Sequence, residues 1–333
     1  MAKQRIIPLF IPHAGCPQTC VFCDQRKISG ADTSVTPEQV AREIEAGLPR
    51  AGGGCELAFY GGSFTAMRPE TQRGLLEAAQ PYLGADRVTS IRLSTRPDAV
   101  DDQVCRMLRE YHVTRVELGC QSMDDRVLEL SRRGHRGADT VRAVECLKRH
   151  GLSVVLQMMT GLPGDTGPQS RETARRIIAL KPDGVRIYPT VVLRGTELEQ
   201  RMARGAYTPQ SVESAVTLCA ELYEMFLQAG IPVIRVGLNP TEELSGGEAV
   251  GGAYHPALGE LVLSELYLRR ARALLEEHPA ADTAVFSVHP RRVSVMVGQH
   301  RRNLDALRRE FGLRTVKVCP VAMDLWEISL KNM

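Results

Sequence analysis

The feature that most limits what this chain can fold into is an alternation repeated six times. Short apolar runs, Ile6–Ile11, Glu56–Tyr60, Val88–Leu93, Val113–Gly119, Ser153–Met159 and Gly184–Tyr188, all but the second rich in β-branched residues, are each followed by a longer stretch with helical character. The intervals leave little room for hairpins, so the strands are expected to pair in parallel through helical crossovers. Thr36-Pro37-Glu38-Gln39 marks the first helix start, with Thr36 as cap, Pro37 at the first helical position and Gln39 placed to close a capping box. That helix is predicted to run to about Gly47. Others are predicted from Pro69 to Tyr82, up to Tyr111, up to His150, from Gln169 to Leu180 and from Pro209 to Gln228. The pattern predicts an α/β fold, a partial (β/α)6 TIM-like barrel over residues 1–230, with a small α+β extension over residues 231–333. A chain of 333 residues, 43% of them hydrophobic, is large enough to bury such a core.

The unusual residues collect where such a barrel does its chemistry. Cys16, Cys20, Cys23, Gly61-Gly62-Ser63, Ser94, Arg96, Glu117, Gln121, Gln157, Gly161 and Tyr188 all fall at or just beyond the C-terminal ends of the predicted strands. That end is the functional face of an α/β barrel, whereas a purely structural barrel gives no reason for polar groups and paired glycines there. Gly61-Gly62 also suits a turn, and Arg96 suits a surface ion pair; both readings stand beside the functional ones. Met158 and Met159 are expected to fill the core.

Gly15-Cys16-Pro17-Gln18-Thr19-Cys20-Val21-Phe22-Cys23-Asp24 places three thiols on one tight loop directly after the first strand. Three thiolates so close cannot all bond to one another, and the grouping is suited to metal. Two readings follow: zinc held by Cys16, Cys20, Cys23 and His13, or a cluster whose missing fourth protein ligand leaves one metal open. The other six of the nine cysteines are scattered singly, which argues for a reducing compartment rather than a disulfide framework. No N-terminal run has the form of a secretory signal, and no apolar run approaches the roughly 20 residues that span a bilayer. A cytoplasmic location and no membrane partner are expected. The net charge of +3 selects no partner class, but local basic clusters occur at Arg132, Arg133 and Arg136 and at Arg291, Arg292, Arg301, Arg302, Arg308 and Arg309. Such clusters serve either as solvated faces or as phosphate contacts.

The spacing Cys-x3-Cys-x2-Cys, with Phe22 before the last cysteine, resembles the signature of the radical S-adenosylmethionine (SAM) enzymes. The resemblance implies that Cys16, Cys20 and Cys23 hold a [4Fe-4S] cluster whose open iron chelates the amino and carboxylate groups of S-adenosyl-L-methionine. It further implies one-electron cleavage of that cofactor to a 5′-deoxyadenosyl radical, with an electron donor such as flavodoxin or ferredoxin. Gly61 and Gly62 resemble the family's Gly-Gly-Glu-type motif, although Ser63 stands where many members have Glu. Ser63, Ser94, Arg96, Glu117 and Gln157 are the further candidates for binding the cofactor, and Gln121 and Tyr188 are candidate catalytic residues.

From Val116 onward the likeness narrows. Val116-Glu117-Leu118-Gly119-Cys120-Gln121-Ser122, Arg133-Gly134-His135, Gln157-Met158-Met159 with Leu162-Pro163, and Lys181-Pro182-Asp183-Gly184-Val185-Arg186-Ile187-Tyr188-Pro189-Thr190 through Arg194-Gly195-Thr196 are similar to the radical SAM domain of the Elongator catalytic subunit. That resemblance covers roughly residues 3–230 and implies tRNA as the substrate class. Three departures accompany it: no acetyltransferase domain or acetyl-CoA site is recognisable, the cysteine spacing is the tighter one, and Arg186 stands where Lys is expected. Gln121-Ser122 and Arg133-Gly134-His135 also resemble coproporphyrinogen oxidases of the same superfamily, which leaves tetrapyrrole chemistry as a second expectation. A zinc-stabilised RNA-binding protein without catalysis is the third.

In the last third, a strand ending in Arg235-Val236-Gly237 and a Gly-rich loop, Ser245–Gly252, precede Tyr254-His255-Pro256 and a long helix to about Glu277. The loop is expected either to cover the barrel mouth or to be a plain connection, and His255 is a candidate to face substrate. The tail is predicted as strand Ala284–Val288, strand Val293–Val297, helix Asn303–Phe311 and strand Thr315–Cys319. Gly298-Gln299-His300-Arg301, between a predicted strand and a helix, resembles the Gly-x-x-Gly loop of KH modules without its second glycine.

Overall fold

The computed structural model describes residues 5–17, 19–25, 35–51, 53–242 and 244–331; Gln18 of the cysteine segment lies outside them. Its main sheet contains β1 (Arg5–Phe10), β2 (Cys55–Tyr60), β3 (Val88–Thr95), β4 (Val113–Gln121), β5 (Ser153–Thr160) and β6 (Gly184–Pro189), paired in parallel in chain order. After the short β7 (Val191–Leu193), a seventh strand, β8 (Val233–Val236), pairs in parallel with β6. The sheet curls into a half-barrel. Sequence patterning assigned β8 to the extension because only four residues of it carry a strand pattern; the helix before it supplies one more crossover.

The crossover helices are α1 (Pro37–Ala51), α2 (Pro69–Ala79), α3 (Asp102–Glu110), α4 (Asp125–Leu130), α5 (Gly137–Arg149), α6 (Gly167–Ala179), α7 (Glu197–Ala203) and α8 (Val212–Gln228). The capping box forms at α1: the Thr36 amide donates to Gln39 Oε1 at 2.9 Å, and the Gln39 amide donates to Thr36 Oγ1 at 3.3 Å. α1 runs past Gly47 through Pro49, which sits in the last turn, where a missing N–H forfeits only one helix bond. The Gly-rich stretch is more ordered than a loop. β9 (Ala249–Gly252) pairs antiparallel with β7, with Val191 opposite Gly252.

Strand alternation gives the half-barrel two unlike faces. Leu57, Phe59, Ile91, Leu93, Val116 and Leu156 are fully buried, as a sheet face covered by helices requires. The opposite face carries Glu56 and Tyr60 on β2, Arg92 and Ser94 on β3, Arg115 and Glu117 on β4, Gln157 on β5, and Arg186 and Tyr188 on β6. Register aligns them: Ser94 lies opposite Glu117, Gln157 opposite Arg186 and Met159 opposite Tyr188. A closed barrel fills this space with layers of branched apolar side chains. Here it is lined by charge.

The chain divides into two compact units, Met1–Ser211 with Phe226–Tyr254, and Val212–Met225 with His255–Met333. The second contains most of α8 together with α9 (Leu258–Glu277), β10 (Thr283–Val288), α10 (Val293–Val297), α11 (Arg302–Glu310), β11 (Thr315–Pro320) and β12 (Ile328–Lys331). Its three-stranded sheet has β10 in the centre, parallel to β11 and antiparallel to β12. Tyr267, Phe286, Met296 and Leu307 anchor its core. Val293–Val297 is a helix, not the predicted strand. The alternating Val-Ser-Val-Met-Val has strand periodicity, but Val295 and Met296, which are neighbours in sequence, both enter the core, as only a helical turn allows. Gly298–Arg301 accordingly joins two helices.

Candidate active site

Backbone contacts build the cysteine loop. Beyond β1, the Ile11 amide donates to the Tyr60 carbonyl at 2.7 Å, the His13 amide to the Gly61 carbonyl at 3.2 Å, and the Ser63 amide to the Ala14 carbonyl at 2.8 Å. The two segments lie so close that a Cβ at Gly62 would meet the Ile11 carbonyl oxygen at 2.5 Å and the Ala14 carbonyl oxygen at 2.6 Å. Gly15, at φ +71°, would meet the Ser63 carbonyl oxygen at 2.1 Å. Both positions therefore need glycine for the docking itself. Gly61, at φ +91°, meets nothing closer than 3.6 Å and is constrained by its backbone angle instead.

Each cysteine of the loop has a polar neighbour. Cys16 Sγ lies 3.5 Å from Ser63 Oγ, Cys20 Sγ accepts from Arg133 Nη1 at 3.1 Å, and Cys23 Sγ accepts from Gln25 Nε2 at 3.4 Å. Burial, then the adjacent Cys20 and Cys16 sulfurs, push the Cys23 thiol up to about 12. Cys23 thus resists ionising unless a cationic group compensates it, and an iron-sulfur cluster, which takes thiolate donors, would do so. The His13 ring accepts from the Gln25 amide through Nε2 at 3.0 Å, so it helps to close the loop.

Glu117 is the hub of the charged face. Fully buried, it accepts from Arg186 Nη2 at 2.8 Å, Arg92 Nη1 at 3.2 Å, Gln157 Nε2 at 3.3 Å and the Tyr60 hydroxyl at 3.4 Å. Arg92 also pairs with Glu56, and Arg186 Nη1 donates to the Tyr188 hydroxyl at 3.4 Å. Arg186 further stacks its guanidinium 5.8 Å above the Tyr60 ring. Of the residues singled out from sequence, Glu117, Gln157, Arg186 and Tyr188 therefore share one hydrogen-bonded group. Tyr60 and Arg92 were missed, although their charged or aromatic side chains recur at every second position of apolar strands.

The remaining residues stand apart from that group. Arg96 is buried and committed to Asp98, through Nε at 2.5 Å and Nη2 at 2.9 Å, and it also donates to the Arg133 carbonyl at 2.9 Å. Gln121 ends β4 at φ +64°, and its buried Oε1 has no partner among the described residues. Of the arginines around position 133, Arg132 and Arg136 are exposed, but Arg133 does not share their face. Arg132 pairs with Glu197, the Arg136 amide donates to Asp139, and Arg133 turns inward to Cys20 and to the Gly119 carbonyl at 2.7 Å. Sequence reasoning grouped these three by charge and missed Arg133 as a neighbour of the cysteine loop. His255, in the second unit, accepts from the Ala257 amide at 3.1 Å in the turn before α9.

The sequence matches the model of the Radical SAM superfamily over residues 10–177, about half the chain, and that of the Radical_SAM C-terminal domain over residues 182–268. The chain belongs to the radical SAM superfamily. This family implies a [4Fe-4S] cluster and SAM, and the protein is a radical SAM enzyme. Uncharacterized protein MJ0486 of Methanocaldococcus jannaschii is 29% identical over 237 residues, covering 67% of this chain and 72% of that one. The tRNA uridine(34) acetyltransferase of the same archaeon is 33% identical over 183 residues, covering 49% of this radical SAM chain and 34% of the acetyltransferase. The structure of the archaeal Methanocaldococcus infernus Elp3 with an N-terminal deletion matches with a TM-score of 0.62 at 25% identity, covering 80% of this chain and 63% of that one. This radical SAM chain thus spans about a third of the length of the acetyltransferase. Among the described residues, no helix is long and apolar enough to cross a membrane.

Proposed function

We propose that Cys16, Cys20 and Cys23 hold the [4Fe-4S] cluster, that SAM binds beside it, and that the enzyme modifies RNA, with tRNA the favoured substrate. The observation that carries this reading is the docking of a three-thiol loop onto Gly61-Gly62-Ser63 at the end of a polar-lined half-barrel. When bound, the cluster and SAM would supply one-electron cleavage and radical chemistry. The chain's own part is to bind, orient and exclude solvent. Ser63 beside Cys16 and the Gly61-Gly62 backbone are proposed to meet the methionine end of SAM. Ser94, Glu117 and Gln157 supply polar contacts along the concave face, and Arg96 acts chiefly by fixing Arg133. Gln121, with a buried carbonyl oxygen free to accept, and Tyr188, tied to Arg186, are the candidates to contact substrate.

Two supports favour tRNA: a relative named as a tRNA uridine(34) acetyltransferase, and exposed arginines at 291, 301, 302, 308 and 309 in the second unit, a charge suited to phosphate. The test is anaerobic incubation of the cluster-loaded full chain with reductant and SAM, with and without tRNA, reading 5′-deoxyadenosine and the nucleoside masses of digested tRNA. A tRNA-dependent increase and a new nucleoside mass are expected. Cleavage indifferent to tRNA but raised by a porphyrinogen would move the substrate class to tetrapyrroles.

A further inference from the structure

We propose that Asp102, Cys146 and His150, with Cys105 beside them, form a zinc site on the outer helices of the half-barrel, separate from the cysteine loop. The residues come in two pairs. Asp102 opens α3 and Cys105 follows three positions on, while Cys146 lies in the last turn of α5 and His150 caps that helix four positions on. Spacings of three and four residues put each pair on one side of its helix, and separations of two to five intervening residues are usual between paired zinc ligands.

One ligand atom from each of Asp102, Cys146 and His150 lies within 4.8 Å of the other two. Asp102 Oδ1 accepts from His150 Nε2 at 2.8 Å and from Cys146 Sγ at 3.5 Å, and Cys146 Sγ lies 3.5 Å from Cys105 Sγ. Zinc bond lengths of about 2.3 Å to sulfur and 2.0–2.2 Å to nitrogen or oxygen place tetrahedral donors roughly 3.3–3.8 Å apart. The two 3.5 Å separations fall in that range, and the shorter Asp102–His150 separation is that of their hydrogen bond. Cys105 Sγ, in contact with Cys146 Sγ alone among the three, is the candidate fourth donor.

A purely structural account explains part of this arrangement. Asp102 at a helix start and His150 at a helix end complement the two dipoles, and Arg149 adds a 3.3 Å contact to the same carboxylate. That account gives no role to Cys146, which bridges Asp102 on one side and the buried Cys105 on the other. Burial raises both thiols above their usual range, so they stay protonated until a metal displaces the protons to solvent. Bound zinc would tie α3 to α5 across the outside of the sheet.

The experiment measures zinc and iron by mass spectrometry in the cluster-loaded full chain after zinc incubation and desalting, and follows cobalt substitution by its thiolate charge-transfer band. Wild type should keep one equivalent of zinc beside its iron. Cys146→Ser and His150→Gln should lose that equivalent with iron unchanged, whereas Cys20→Ser should lose iron and keep zinc, which separates this site from the cysteine loop. Should Cys146→Ser fail to fold, His150→Gln and Asp102→Asn, both at helix ends, decide. Zinc retained by these variants overturns the proposal, as does a wild type that takes no zinc or that carries a Cys105–Cys146 disulfide instead.

Discussion

The guanidinium of Arg133 donates to the sulfur of Cys20 across 3.1 Å, joining segments 113 residues apart. Asp98 fixes Arg96, and Arg96 holds the Arg133 carbonyl, so this donor has little freedom. A positive donor on a cluster thiolate favours the more negative, reduced state. Arg133→Met should therefore make a bound cluster harder to reduce, read as a lower midpoint potential in a redox titration followed by electron paramagnetic resonance. An unchanged potential at full iron content would show that Arg133 does not act on the cluster.

Two glycine-to-alanine changes should behave oppositely. At Gly62 the added methyl collides with two carbonyl oxygens of the cysteine loop, so Gly62→Ala should lower iron per chain while helix content holds. At Gly74, inside α2, the methyl meets only Pro37 Cγ at 3.6 Å, and alanine should stabilise by about 0.5–1 kcal/mol. Iron analysis and urea unfolding of both variants check this.

Replacing Glu117 with glutamine leaves Arg186 and Arg92 facing a neutral group in a buried setting. Breaking such a pair costs about 3–5 kcal/mol, with the lower end expected here because Glu56 still faces Arg92. Urea unfolding should show that loss. Adding Arg186→Leu to Glu117→Gln should recover part of it, since the double variant removes one of the two stranded charges.

His135 gives the fold an acid limb. It is buried, its Nε2 meets the Cys120 carbonyl at 3.2 Å, and burial, with Arg133 nearby, pushes its pKa down to about 4. The unfolded chain protonates near 6.5 while the folded one stays neutral. This contribution is thus complete above about pH 6.5 and is lost as pH falls toward 4, with a drop of about 2 kcal/mol between pH 7 and 5. His135→Gln should flatten that limb in urea midpoints measured across the range.

Much of the barrel was legible because strand and helix patterns are local. Six strands, the capping box at Thr36 and the cysteine triplet all announce themselves within a few residues. What escaped depends on contacts distant in sequence. β8 is too short to declare its sheet, and β9 becomes a strand only because β7 accepts it. Val293–Val297 follows its core rather than its period. Nothing in the Gly61-Gly62 pair itself tells that Gly62 docks against the carbonyls of Ile11 and Ala14. Arg133 lay inside a quoted motif, but nothing local ties it to Cys20. The charged lining was present as a period of two in Ser90-x-Arg92-x-Ser94 and Arg115-x-Glu117, a signal that apolar counting passes over.

In the main sheet, each strand neighbours the one before it in the chain, apart from the short β7 between β6 and β8. Such an order lets the polypeptide assemble vectorially during synthesis, each βα unit docking on the last as it leaves the ribosome, with loop closures kept short. Arg92 on β3 finds its first carboxylate, Glu56 on β2, already in place, and gains Glu117 when β4 arrives. Arg186 emerges after Glu117 is waiting. The guanidiniums are thus partnered almost as soon as they are sequestered, and synthesis need not pass through a stage that leaves them unpaired in a closed interior.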